Sequence, residues 1–334
     1  MDNRSALVAG GARLRSLWTA SAGMPLRTRV ISTGLAVSQG KPLSELSAAE
    51  LQKRRALSPA PRPPVSWVVG RVAAGAVIET VQVPVRNGRT VPTRVLRPTS
   101  GTSEKVLVWY HGGGWALGRP RDFDPLLSFL VEQTGCVVLA PDYRLAPEDK
   151  APAGVHDCLD VLDWVTTGAG SLTSTTPRVA VGGDSAGGNL AALAALHARD
   201  NRIDLSGQVL VYPATDLAAD RPYRDAPVLS GADMDAFEGF YLTGSGLTGS
   251  DPVVSPAHAA SHAGLAPALV QTAELDPLHP EGERYAQTLE TAGVPTRYTC
   301  YRGVPHGFLN MPGGTHVGYQ AWWEISDTLR RWWV

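Results

Sequence analysis

Cysteine is scarce in this 334-residue chain: Cys136, Cys158 and Cys300 are too few and too far apart for a disulfide framework or for metal-ligand spacing. They sit in apolar, β-like or helical runs, which reads as core thiols. Charge of one sign is lacking too, with 30 Lys and Arg against 31 Asp and Glu. That balance offers no bulk field to draw in nucleic acid or anionic lipid. Long hydrophobic runs are absent, since none approaches the ~18 uninterrupted apolar residues of a membrane span. An export signal is not evident either, because Asp2 stands where positive charge belongs and Arg13 and Arg15 break the apolar stretch 6–22. A cytoplasmic protein with no membrane anchor and no nucleic-acid partner is expected. The 43% hydrophobic content is enough for a large core.

Residues 1–66 differ from the rest. Ser47-Ala-Ala-Glu50 has the pattern of a capping box opening a helix through Ala56, and the proline cluster 59–64 ends it. This part reads as a mostly helical arm. The remainder, 67–334, reads as the catalytic domain, and from about residue 77 the period changes. The runs 77–85 and 89–97, separated by Asn87-Gly88, read as a β-hairpin. Short apolar runs at 106–110, 136–140, 179–181, 208–211, 268–272 and 297–301 then alternate with helical stretches near 123–134, 152–166, 186–199, 281–292 and 317–333. Such alternation predicts an α/β fold with a mostly parallel central sheet flanked by helices. Residues 216–256 interrupt it with Gly, Ser and Asp around Phe237, Phe240, Tyr241 and Leu242. This segment reads as a cap insertion over the C-terminal edge of the sheet, packed with the arm.

The chemistry centres on Gly183-Asp184-Ser185-Ala186-Gly187, which follows a β-prone run and precedes a helix-prone one. Strand, tight turn bearing serine, then helix is the context of a nucleophile elbow, and the helix N-terminus adds free N–H groups beside the serine oxygen. Upstream, His111-Gly112-Gly113-Gly114-Trp115 supplies flexible backbone whose N–H groups can meet a developing oxyanion. A serine needs a base. Among eight histidines His306 stands out, on a short loop after the run 297–301 and before Gly307. His111 reads as loop-shaping, His156 and His197 as helical, and His258, His262, His279 and His316 as surface residues. The base needs an acid, and Asp276 lies just beyond the run 268–272. Glu274 competes for that role; Asp276 is preferred because Pro277 stiffens its loop. The pattern points to acyl transfer, with the order Ser185, Asp276, His306.

These residues resemble the hormone-sensitive-lipase-like family of α/β-hydrolases, the bacterial esterase family IV. The matching motifs are His111-Gly-Gly-Gly-Trp115, Asp142-Tyr-Arg-Leu-Ala-Pro-Glu148, Gly183-Asp-Ser-Ala-Gly-Gly188, Asp276-Pro-Leu278 and His306-Gly-Phe308, over residues 75–334. The resemblance implies Ser185 as nucleophile, His306 as general acid/base and Asp276 as its orienting carboxylate. It places an oxyanion hole at the N–H groups of Gly113, Gly114 and Ala186. Asp184 puts the chain in the GDSAG branch, and the 143–148 segment would brace a loop near the site. Where many relatives carry a basic residue and then an acid after Asp276-Pro-Leu278, this chain has His279-Pro280 before Glu281, which puts the support of that loop in question. His279 reads as a bystander.

The expected reaction is hydrolysis of small uncharged esters with short to medium acyl chains, in a pocket lined by Trp115, Phe237, Phe240 and Tyr241, with no metal or organic cofactor. Lactone, acetyl or amide hydrolysis uses the same triad. A silent ligand-binding receptor is the rival from another class, since plant gibberellin receptors resemble this family with the histidine replaced; here His306 is present. Long-chain triglyceride lipolysis is not expected, because no amphipathic surface helix advertises interface binding. In the final helix Trp322, Ile325, Leu329 and Trp332 fall near one face, for packing on the sheet or, alternatively, a homodimer contact.

Overall fold

A computed structural model describes residues 15–38, 40–57, 62–99, 101, 103–167, 177–221, 223 and 225–334. Its frame is an eight-stranded sheet in the order β1-β2-β4-β3-β5-β6-β7-β8. The strands are β1 (Ala76–Val85), β2 (Arg89–Pro98), β3 (Lys105–Tyr110), β4 (Val137–Pro141), β5 (Arg178–Asp184), β6 (Leu205–Val211), β7 (Ala268–Leu275) and β8 (Thr296–Pro305). β1 and β2 form the expected antiparallel hairpin, and β2 meets β4 antiparallel. Asn87 takes φ 62° in the connection, a conformation asparagine tolerates better than most residues. From β4 onward every pairing is parallel.

The period of two along each strand feeds two cores. On β3, Val106, Val108 and Tyr110 enter one and Leu107 and Trp109 the other. The first is covered by helices α5 (Ala153–Thr166), α6 (Ala186–Asp200) and α8 (His279–Thr291), the second by α4 (Asp124–Thr134) and α9 (Gly318–Trp332). Trp322, Ile325 and Leu329 of α9 are buried, and the Trp332 ring occupies the space a side chain at Gly207 would need. Close approach of helix and sheet there requires glycine.

The arm contributes α1 (Leu26–Ser38), α2 (Ala48–Ala56) and the single turn α3 (Ser66–Val69), while α7 (Gly231–Leu242) lies within the 216–256 segment. Both halves of the capping box are present, with Ser47 Oγ accepting from the Glu50 N–H and Glu50 from the Ser47 N–H. Part of the proline cluster, 59–61, lies outside the described residues. Leu43 and Leu51 of the arm pack with Ala116, against Phe237 and Phe240 of α7.

Several expectations need correction. Cys136 and Cys158 are buried, but Cys300 is only half-buried on the last strand. His262 is buried, hydrogen-bonded to the Pro256 carbonyl at 2.9 Å and edge-on to Tyr285. His279 is half-buried and opens α8 two residues earlier than the pattern placed it. Apart from these corrections, α1 is a surface helix that turns Leu26, Val30, Leu35 and Val37 outward. Its buried residues are Thr28, Ser32, Thr33 and Ala36, so its polar face is not one that charge reveals. Among the described residues no helix is long and apolar enough to cross a membrane.

Candidate active site

β5 ends at Asp184 and α6 begins at Ala186, so Ser185 alone reverses the chain. It does so with φ 55° and ψ −121°, a backbone conformation that costs a non-glycine residue roughly 1–3 kcal/mol. The surrounding structure enforces it. The Ser185 N–H donates to the Val211 carbonyl at 2.9 Å, and its carbonyl accepts from the Asn189 N–H. A side chain at Gly187 would strike the Tyr110 carbonyl, and one at Gly183 the Gly187 carbonyl.

His306 arrives just past β8, its Nε2 2.9 Å from Ser185 Oγ and its Nδ1 2.7 Å from Asp276 Oδ2. Asp276 lies just past β7, buried, and its Oδ1 accepts the Leu278 N–H at 2.9 Å. A carboxylate on Nδ1 holds the proton there and leaves Nε2 free to accept from a hydroxyl. Glu274 does not compete in space. It accepts the Gly303 N–H at 2.8 Å and faces Arg302, so it holds the turn of β8. The His279 ring nitrogen pairs with Thr272 Oγ1 at 3.1 Å, not with Asp276.

Gly113, Gly114 and Ala186 line the same cavity as Ser185 and His306. Among the described residues no acceptor takes the N–H of Gly113 or Gly114, and Ala186 is the first residue of its helix, where N–H groups are free by geometry. His111 shapes this loop as expected. Buried and stacked on Tyr143, it sets Nδ1 2.8 Å from the Gly112 carbonyl, and burial pushes its pKa down to about 4. Tyr143 Oη donates to the His111 carbonyl at 2.7 Å, and Arg144 grips the buried Asp157 through its backbone and guanidinium N–H groups. Arg55 of the arm donates to the carbonyls of Ala116 and Ala146 and to Glu148, tying α2 to both ends of this brace.

Two functional supports escaped the sequence reading. Asp184 is buried and accepts the Gly112 N–H at 2.9 Å, fastening the glycine loop to the elbow. Burial pushes its pKa up to about 7. Glu281 supplies the loop support that the departure after Leu278 had put in question. It accepts the Thr215 N–H at 2.8 Å and pairs with Arg221 at 2.8 Å, and Arg221 also meets Glu238 at 2.6 Å. Glu281 is pushed up to about 7 because burial outweighs Arg221. The signal for Asp184 was its place directly before the serine; Glu281 carried none beyond the broken motif.

The cavity holds about 430 Å³, with walls that include Trp115, Val228, Leu229, Met234, Phe237 and Leu278. Of the four expected pocket residues, Trp115 and Phe237 line it. Phe240 and Tyr241 do not, which is a correction. Tyr241 is buried and stacked on Trp115 with centroids 4.6 Å apart, and Phe240 turns toward Leu43 and Leu51. Among the described residues no cluster of three or more His, Cys, Asp or Glu could hold a metal ion.

Fold and site together define a hydrolase of the α/β type. The alpha/beta hydrolase fold family matches residues 107–310, and the chain belongs to it, in the hormone-sensitive-lipase-like branch its motifs indicated. Carboxylic ester hydrolase LipN of Mycobacterium tuberculosis is 41% identical over 253 residues, 72% of this chain and 66% of LipN. Ethyl acetate hydrolase of Pseudomonas putida is 32% identical over 293 residues, 85% of this chain and 90% of its own. A thermostable esterase structure from Pseudomonas putida superposes with a TM-score of 0.81 at 29% identity, covering 93% of this chain and 98% of that one.

Proposed function

We propose that this carboxylic-ester hydrolase is a serine esterase acting on small uncharged esters of short to medium acyl chain through an acyl-enzyme. The observation that carries the reading is the unbroken chain Ser185 Oγ, His306 Nε2, His306 Nδ1, Asp276 Oδ2, opening on a cavity with free N–H groups. His306 takes the serine proton as Oγ attacks the ester carbonyl. The N–H groups of Gly113, Gly114 and Ala186 hold the oxyanion, and His306 then protonates the leaving alcohol. Water attacks the acyl-enzyme with the same imidazole as base, releasing the acid and restoring the serine.

The apolar walls suit an acyl chain. Arg221 borders the cavity but already meets two carboxylates, which favours an uncharged substrate. The test is a series of p-nitrophenyl esters from acetate to palmitate, run beside lactones and anilides, for wild type and Ser185→Ala. The expected profile peaks at short to medium esters and vanishes in a folded Ser185→Ala, with kcat lower by on the order of 10⁶. Substantial hydrolysis by that variant sinks the serine mechanism. Inertness of the wild type on every ester sinks the enzyme reading.

A further inference from the structure

Helix α1 presents the wrong residues to solvent. Leu26 is 70% exposed, Val30 53% and Val37 46%, while Thr28, Ser32 and Thr33 are buried. On a helical wheel the three aliphatic positions fall within about 40° of one another, forming a ridge. Among the described residues, the buried hydroxyls of Thr28, Ser32 and Thr33 have no hydrogen-bond partner. Unpartnered buried hydroxyls oppose folding, and so does an exposed aliphatic ridge. Folding alone does not account for this orientation.

Charge is distributed to match. Residues 1–66 hold ten Lys and Arg against three Asp and Glu; the remainder hold twenty against twenty-eight. The near-neutral total conceals a basic arm on an acidic body. Between Asp2 and Glu45 there is no acidic residue, while Arg4, Arg13, Arg15, Arg27, Arg29 and Lys41 fall there. Arg15 and Arg27 are exposed, and Arg29 lies over the Trp18 ring at 3.8 Å. The neighbouring turn α3 approaches the same Gly314 as Ile31 of α1, and it carries Trp67, 63% exposed, shortly before the exposed Arg71.

We propose that the arm docks this protein reversibly on an anionic phospholipid surface, through Leu26, Val30 and Val37 with Arg27 beside them. Exposed aliphatic side chains flanked by arginine and indole offer both contacts an anionic interface takes, apolar insertion and attraction to the headgroups. Nucleic acid would engage the arginines but has no use for exposed Leu and Val. A second copy would set one basic arm against another, so like charges would meet. The position is also apt. Pro25 borders Gly303 and Ile31 borders Gly314, so α1 sits on the segment that carries His306, and Leu43 and Arg54 of the same arm line the cavity. Docking would bring the cavity beside a lipid phase in which esters concentrate. The proposal does not depend on the esterase mechanism.

Co-sedimentation of the full chain with phosphatidylcholine vesicles, with or without phosphatidylglycerol, tests it at low and high salt. Binding to the anionic vesicles is expected to exceed binding to the neutral ones by roughly tenfold or more and to weaken with salt. A blue shift of tryptophan fluorescence should accompany it. Leu26→Glu with Val30→Glu should abolish sedimentation and Arg27→Glu should weaken it, with the melting temperature and p-nitrophenyl acetate hydrolysis unchanged. Equal or absent binding to the two vesicle types overturns the proposal, as does binding indifferent to Leu26→Glu with Val30→Glu. So does a dimer dispersed by that double substitution with no vesicle binding, which would assign the ridge to a second copy, or a shift of duplex DNA without vesicle binding.

Discussion

Phe237 lies across Gly114 so closely that a Cβ on the glycine would come within 2.3 Å of the phenyl carbons. The contact joins α7 to the loop proposed to hold the oxyanion, and Trp115 stacked on Tyr241 repeats the link one residue later. Changes in this segment should therefore alter the rate as well as access.

Gly114→Ala is expected to lower kcat by up to roughly 10²–10³, the value of one oxyanion donor. Both the ring and the glycine's φ of 59° oppose the new methyl. Adding Phe237→Ala should recover part of the loss. Gly113→Ala, whose methyl would strike the Leu117 carbonyl, should not be rescued. Steady-state rates on p-nitrophenyl acetate decide it, and equal rescue at both glycines would contradict the contact.

Asp276→Asn should leave the site in place but present the wrong imidazole tautomer, costing about 10⁴ in kcat. Glu274→Gln should cost far less, because Glu274 binds the Gly303 N–H and not His306. Comparable losses from both substitutions would reverse the assignment.

Asp184 makes stability depend on pH. Its folded pKa is raised by burial to about 7, whereas a free aspartate titrates near 3.9. Between those values the folded state binds the extra proton, so the native protein loses stability as pH rises through that window and levels off above it. Asp184→Asn cannot ionise and keeps an acceptor for Gly112. Its melting temperature should gain several degrees on wild type from about pH 4 to about pH 7 and then hold that lead. A pH-independent difference between the two proteins would contradict the raised pKa.

Arg221→Met should destabilise the fold by up to about 3–5 kcal/mol in urea unfolding at alkaline pH, where Glu281 must ionise while buried without its cation. The loss should shrink as pH falls through neutrality, where Glu281 takes up a proton. A loss below about 1 kcal/mol at alkaline pH would show that the pair is dispensable.

Ser185, Asp276 and His306 were legible because each sits where an apolar run stops at a glycine or proline, and parallel sheets place such stops at one edge. The hairpin was legible from Asn87-Gly88, and the helix at Ala48–Ala56 from its capping box. Glu281 was not, since Arg221 is 60 residues away and no local pattern joins them. Phe237, Phe240 and Tyr241 are neighbours by helical period, but which of them faces the cavity depends on the rotation of α7, set by the stack of Tyr241 on Trp115. The reversed face of α1 stayed hidden for a related reason. Serine and threonine serve on either side of a helix, so only contact decides.

The Ser185–His306 hydrogen bond closes a separation of 121 residues, and β6 and β7 stand between the strands that present the two side chains. Long-range pairings of this kind form late when a chain folds. During refolding, hydrolysis should therefore return with the last strand pairing, well after the helices have formed. On the ribosome the proposed nucleophile and its glycine loop precede the proposed base, so the nascent chain should stay silent until β8 joins the sheet.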